Sequence, residues 1–147
     1  IFNRTGHKIR NRAVLAAMTN KQSHSEGTLS DSEMKWLTRR AKGGFGIITT
    51  AAAHISKEGQ GWNGELGLFD DMHIDNLTKL TESIHSHGSL SCAQLFQGGM
   101  RAPQYRTAKK PISASKNPGD ESKSGITRAA SAKEIKRIIK DPTAAAV

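Results

Sequence analysis

Three apolar runs, interleaved with two segments of helical periodicity, constrain this chain more than anything else in it. The runs cover residues 12–18, 46–52 and 90–96. The first, Arg12-Ala13-Val14-Leu15-Ala16-Ala17-Met18, has no polar alternation and reads as a strand buried on both faces. The second, Gly46-Ile47-Ile48-Thr49-Thr50-Ala51-Ala52, reads the same way. The third carries the chain's single cysteine, Cys92, which in such a run is expected to pack as a small buried hydrophobe.

The intervening segments carry helix punctuation. Ser30-Asp31-Ser32-Glu33 is a capping box: Ser30 accepts from the amide three residues on, and Glu33 is expected to reach back to the Ser30 amide. Met34, Leu37 and Ala41 then mark one helical face, and Gly43-Gly44 supplies the left-handed stop. Asp70-Asp71 favours a second start, Ile74, Leu77 and Ile84 keep the period, and Gly88 ends it. Residues 54–69, with four glycines, read as a loop. The order strand, helix, strand, helix, strand implies parallel strands joined by right-handed crossovers. No Gly-x-Gly-x-x-Gly turn follows a strand, which counts against a dinucleotide-binding doubly wound sheet.

Composition shifts after the third strand. Residues 100–127 contain Pro103, Pro111 and Pro118 among many Ser, Lys and Gly, a long excursion within a loop of about 98–130. Ser131-Ala132-Lys133-Glu134 is a second capping box, followed by an Ile135, Ile138, Ile139 stripe, with Pro142 expected to kink or end the helix. No strand follows. A (β/α)8 barrel takes ~250 residues. The 147 residues are therefore expected to form one unit over 1–147, an incomplete TIM (β/α)8 barrel of three β-strand/helix units. Such a chain is either a piece of a longer reading frame or a truncated product without independent activity.

The formal charge is +9, from 22 Lys and Arg against 13 Asp and Glu. The cations are dispersed, and aromatics make up only 5%, too few to interleave as a stacking platform, so nucleic acid is not expected as the main partner. One thiol makes neither an internal disulfide nor a thiolate zinc site, which fits a reducing, cytoplasmic setting. No run approaches the roughly 20 apolar residues of a membrane span, and the first residues lack the apolar core of a secretory leader. His85-x-His87 sits by a helix end and is not read as a metal site. His24, His54 and Trp62 are placed on loops, and Lys21 in a solvated loop, without catalytic roles.

Near the ends of the three apolar runs, Asn11-Arg12-Ala13-Val14-Leu15-Ala16-Ala17-Met18-Thr19, Arg39-Arg40-Ala41-Lys42-Gly43-Gly44-Phe45-Gly46-Ile47-Ile48 and Ala93-Gln94-Leu95-Phe96-Gln97-Gly98-Gly99 together resemble the old yellow enzyme family, the FMN-dependent NADH:flavin oxidoreductases and ene-reductases. Residues 11–19 resemble that family's N-R-x-x-x-x-P-M-T/C opening, with Ala17 where Pro is common. Residues 39–48 are similar to its R-A-x-G-G-x-G-L-I segment, and Ala93-Gln94-Leu95-Phe96-Gln97-Gly98-Gly99 to its Q-L-x-H-x-G-R signature. The match runs in order over roughly residues 8 to 140. It implies a TIM barrel with FMN at the C-terminal mouth, NAD(P)H as reductant, and a small α,β-unsaturated substrate. It leaves room for a homo-oligomer in a full-length parent.

The resemblance also implies site residues. Gln94 would pair through its amide with the flavin's pyrimidine edge, since one amide both donates and accepts. Thr19 would approach the flavin O4/N5 edge, where a hydroxyl donor favours the reduced ring; it is the one residue of the chain assigned to the chemistry. Ala17, Met18 and Ala52 would give backbone contacts and a flat apolar floor. Two departures stand out: the family's His is Gln97 here, and its following Arg is Met100, which is expected to remove a positive charge from the mouth. The substrate-anchoring His/Asn or His/His pair, the Tyr proton donor, an Arg near flavin N1 and the FMN phosphate grip follow later strands in the family and are not expected in this chain; Tyr105 lacks the matching context. The alternative reading is a non-catalytic basic protein that binds phosphorylated or nucleic-acid partners.

Overall fold

The computed structural model describes residues 4–103, 105, 108, 110–117 and 126–145. Its centre is strand β2 (Ile47–His54), which is parallel to every strand beside it. Strand β1 (Val14–Leu15) lies on one edge, with Val14 opposite Ile47 and Leu15 opposite Ile48. Strand β4 (Leu90–Phe96) follows the other edge, from Leu90 opposite Ile47 to Phe96 opposite His54. A short strand β3 (Leu66–Gly67), inside the segment read as loop, extends the β1 edge opposite Ala53 and His54. His54 is thus a buried strand residue rather than a loop residue.

Helices α1 (Asp31–Lys42) and α2 (Ile74–Ser86) form the crossovers. Their apolar faces supply Leu37, Ala41, Leu80 and Ile84, which pack with Leu15, Ile48, Ala53 and Leu66 of the strands as one core. Each fully buried Leu or Ile contributes about 1.5–3 kcal/mol. A one-turn 3-10 segment (Asp71–His73) precedes α2; the Asp70 carboxylate accepts from the Met72 amide, so the acidic start lies one turn ahead of the α-helix proper. Gly88, at φ +71°, stops α2. At the end of α1 the left-handed residue is Gly44 (φ +112°), and Gly43 stays helical.

The strand ends opposite the site are tied together by Arg10. Its guanidinium donates to the carbonyls of Ala41, Phe45 and His87 and to Ser89 Oγ. A cation there meets the unsatisfied carbonyls, and the negative dipole ends, of both crossover helices.

Four expectations are corrected. β1 is two residues long, and only Leu15 is buried; Val14 is 52% exposed, because β1 has a neighbour on one side only among the described residues. Cys92 is exposed, not buried, and so are Ala93, Gln94 and Leu95, because β4 is likewise an edge strand there. Glu33 does not close its capping box: Ser30 Oγ accepts the Glu33 amide at 3.1 Å, but the Glu33 carboxylate is engaged elsewhere. Pro142 does not end helix α3 (Ala132–Ala145); it lies inside, costing one backbone hydrogen bond while its fixed φ remains helical. The second capping box is complete, since Ser131 and Glu134 exchange amide-to-side-chain bonds.

The long excursion contains a parallel pair, β5 (Ile112–Ser113) with β6 (Arg128–Ala129), organised around the buried Thr127, whose hydroxyl accepts the Asn117 amide at 2.9 Å. Lys109 and Pro118, and the terminal residues 1–3 and 146–147, lie outside the described residues. Among the described residues no helix is long and apolar enough to cross a membrane.

Candidate active site

The site begins with a break in the β2–β4 ladder. Thr49 stands opposite Cys92, and the next pair is Ala52 opposite Gln94, so Thr50 and Ala51 together face Ala93. This is a β-bulge, which bends a strand and re-aims its side chains. At the bulge Thr50 Oγ1 accepts the Gln94 backbone amide at 3.3 Å while donating to Ala51 O at 2.7 Å. Past the break, Ala52 and Gln94 sit side by side at the C-terminal end of the sheet.

Thr19 reaches the same place by a different route. The loop after β1 is held from below by Glu33, which is 0% exposed on α1. Its carboxylate accepts the Asn20 amide at 2.9 Å and the Ser23 hydroxyl, while Asn20 Oδ1 accepts the Gln22 amide at 3.0 Å. The same loop docks on the one after β2, where Ser23 N donates to Gly64 O at 3.2 Å. Lys21, in a left-handed conformation (φ +54°), brings its carbonyl so near Gly64 that a Cβ on Gly64 would sit 2.5 Å away.

Thr19, Ala52 and Gln94 line one open cleft of about 620 Å³, together with Gly61, Trp62, Leu95, Phe96 and Arg101. The ring of Trp62 leans on Phe96 at 5.2 Å between centroids. Neither the Thr19 hydroxyl nor the Gln94 side-chain amide has a hydrogen-bond partner among the described residues, so both remain free to meet a ligand. Ala17 is half-buried and Met18 is 46% exposed; both precede Thr19 in the chain, and neither lines the cleft.

Sequence reasoning overlooked Arg101, and it corrects the expected loss of charge. Met100 replaces the family's Arg, yet Arg101, one residue later on a 3-10 turn (Gly99–Arg101), lines the cleft. Gln97, in place of the family's His, ties the turns together: its amide nitrogen donates to Ser56 Oγ at 2.9 Å, and its oxygen accepts from Gly99 N. Trp62, read from the sequence as a loop residue without a catalytic role, forms a wall of the cleft. The available signal was an aromatic and a cation just past strand ends, where barrels of this kind carry function.

The histidines do other work. His54 bonds through Nδ1 to Ser56 O at 3.0 Å and stacks on Phe69 at 4.9 Å. His73 meets the edge of Phe69 and is buried, which holds its pKa below the usual imidazole value despite the carboxylates of Asp70 and Glu26. His85 bonds Ser91 Oγ. Among the described residues no three His, Cys, Asp or Glu side chains converge as metal ligands.

The chain is similar to known proteins along almost its full length. The family described as NADH:flavin oxidoreductase / NADH oxidase matches residues 4–147. The "Probable NADH-dependent flavin oxidoreductase YqiG" of Bacillus subtilis is 29% identical over 137 residues, 93% of this chain and 36% of that protein. The NADH:acrylate oxidoreductase of Vibrio harveyi is 33% identical over 76% of this chain and 11% of its own length. Among solved structures, the old yellow enzyme homologue from Zymomonas mobilis superposes with a TM-score of 0.85 at 25% identity, covering 95% of this chain and 41% of that one. Morphinone reductase in complex with tetrahydroNAD shares the fold, with a TM-score of 0.83 at 20% identity. The chain thus spans well under half of these relatives. Its parallel β/α array corresponds to part of their TIM barrel.

Proposed function

The chain belongs to the NADH:flavin oxidoreductase / NADH oxidase family, and on that premise we propose that it forms the flavin-facing floor of an NAD(P)H-dependent ene-reductase. One observation carries the reading. Thr19, on the loop after β1, and Ala52 and Gln94, on the parallel strands β2 and β4, line the same cleft toward the strands' C-terminal ends.

The donor set suits FMN. The Gln94 amide has an unsatisfied donor and acceptor for the ring's pyrimidine edge, and Thr19 has an unsatisfied hydroxyl for the O4/N5 edge. Ala52 is small enough to let a flat ring lie close to the strand. Bound FMN would supply two-electron chemistry, taking hydride from NAD(P)H and delivering it to the β-carbon of an activated alkene. Around it, Trp62 and Phe96 exclude water from one side, and Arg101 gives the cleft a cation that favours anionic partners. Ala17 and Met18 contribute at most backbone contacts, since neither lines the cleft.

The reading is tested in the chain completed with the remaining strands of a family barrel. FMN absorbance should co-purify with that protein, and Gln94→Leu should weaken FMN binding about tenfold, the worth of one or two lost hydrogen bonds. Thr19→Val should lower the flavin potential by about 20 mV, one hydrogen bond's worth for a two-electron couple. A completed barrel that stays colourless while binding RNA in a salt-sensitive manner would point to the basic-protein alternative instead.

A further inference from the structure

A cleft wall made by a turn needs something behind it to fix the turn. Gly61 and Trp62 form such a wall. Gly61 lies so close to the next layer that a Cβ on it would sit 3.0 Å from the Phe96 ring and 3.7 Å from Glu65 Oε2. Glu65 is 1% exposed. Its Oε2 accepts the Gly61 amide at 2.6 Å, and the Trp62 amide also acts on the carboxyl. Its Oε1 is buried with no hydrogen-bond partner.

We propose that Glu65 is a positioning residue that works as a neutral carboxylic acid, its bond to the Gly61 amide holding the Gly61–Trp62 turn in place as the cleft wall. A carboxylate with one buried, unpaired oxygen is costly, and two amides compensate only part of that. Among the described residues no cation acts on it. The titratable and charged residues on the elements around it are Lys57 and Glu58 on the 3-10 turn before Gly61, Lys21, His24 and Glu26 on the loop that meets Gly64 and Gly67, Glu33 beneath Ser23, His73 against Gly67, and Arg101 in the cleft. None of these acts on the proton affinity of Glu65, which burial raises to about 8 against the two amides that lower it. At higher pH the buried charge draws water toward it, and the turn it holds loosens. The role of Glu65 in the turn stands without flavin; only its bearing on catalysis rests on the function proposed above.

The test uses the 147-residue chain with no flavin added. Trp36→Phe leaves Trp62 as the sole reporter of the two tryptophans. Between about pH 6 and 9.5, Trp62 emission and the Gly61 amide shift should move together, with a midpoint of about 8. In Glu65→Gln the low-pH signals should persist with no transition, because the amide oxygen accepts the same bond and cannot ionise. In Glu65→Leu the low-pH signals should be lost at every pH while helical circular dichroism remains. A transition that survives in Glu65→Gln overturns the proposal, as does a Gly61 amide shift that stays flat in the otherwise unaltered chain. The second readout decides the matter even if the variants fail to fold.

Discussion

Two buried glutamates, Glu33 and Glu65, hold the loops that shape the cleft, and neither forms an ion pair among the described residues. Removing the Glu33 carboxylate strands the Asn20 amide and the Ser23 hydroxyl. Glu33→Ala should therefore cost about 3 kcal/mol in thermal or chemical denaturation. In an FMN-binding barrel it should also disturb the Thr19 side of the cleft before the Gln94 side. Glu65 has the opposite pH signature to an ion-paired acid. Its folded-state pKa lies above its unfolded value, so the native state holds an extra proton between about 4.5 and 8. Stability falls through that window as pH rises, by up to ~1.4 kcal/mol per unit. Denaturation midpoints measured across it should decline in the native chain relative to Glu65→Gln, then run parallel above about 8. The Ser-x-x-Glu spacing revealed a helix start at Ser30. It did not reveal where the Glu33 side chain goes, because Asn20 and Ser23 meet it only through the folded loop.

At the scale of elements, periodicity and punctuation carried most of the fold. The extent of β4, both crossover helices and the parallel order follow from apolar runs and helix caps. Burial along β1 and β4 did not follow, because an apolar run looks the same whether neighbours cover it or leave it at an edge. Cys92 illustrates this: it lies in a run that reads as buried, yet it is exposed on β4. Ellman's reagent should titrate one thiol in the folded chain without denaturant. The bulge was equally hidden, since no residue type in Thr49-Thr50-Ala51-Ala52 announces an extra residue in the pairing. Helix α3 carries a removable cost at Pro142. Pro142→Ala restores a backbone bond and should raise the melting temperature, with a gain of up to about 3 kcal/mol if the helix stays formed.

At the scale of the molecule, the cleft combines free polar groups for a flat heterocycle with one lining cation among the described residues, Arg101. Charged hydrogen bonds to phosphate are strong, and one cation offers few of them. The 147-residue chain alone should therefore emerge from gel filtration without stoichiometric FMN, read as the ratio of flavin to protein absorbance. A yellow, fully loaded monomer would refute this. Thr19, Ala52 and Gln94 could be marked from the sequence because each lies at or near the end of an apolar run, and Thr19 and Gln94 also fall in family motifs. Trp62, Arg101 and the two glutamates could not, because their place depends on how three loops dock against one another. The extra residue in β2 also sets two demands in opposition. Deleting Ala51 would let the hydrogen-bond ladder between the two strands run unbroken, and by the measure of backbone pairing the shortened sheet would be the better one. The same deletion would keep Ala52 opposite Gln94 but take out the bend that the extra residue puts into β2 just before them, so the irregularity is the sheet's concession to the cleft it carries.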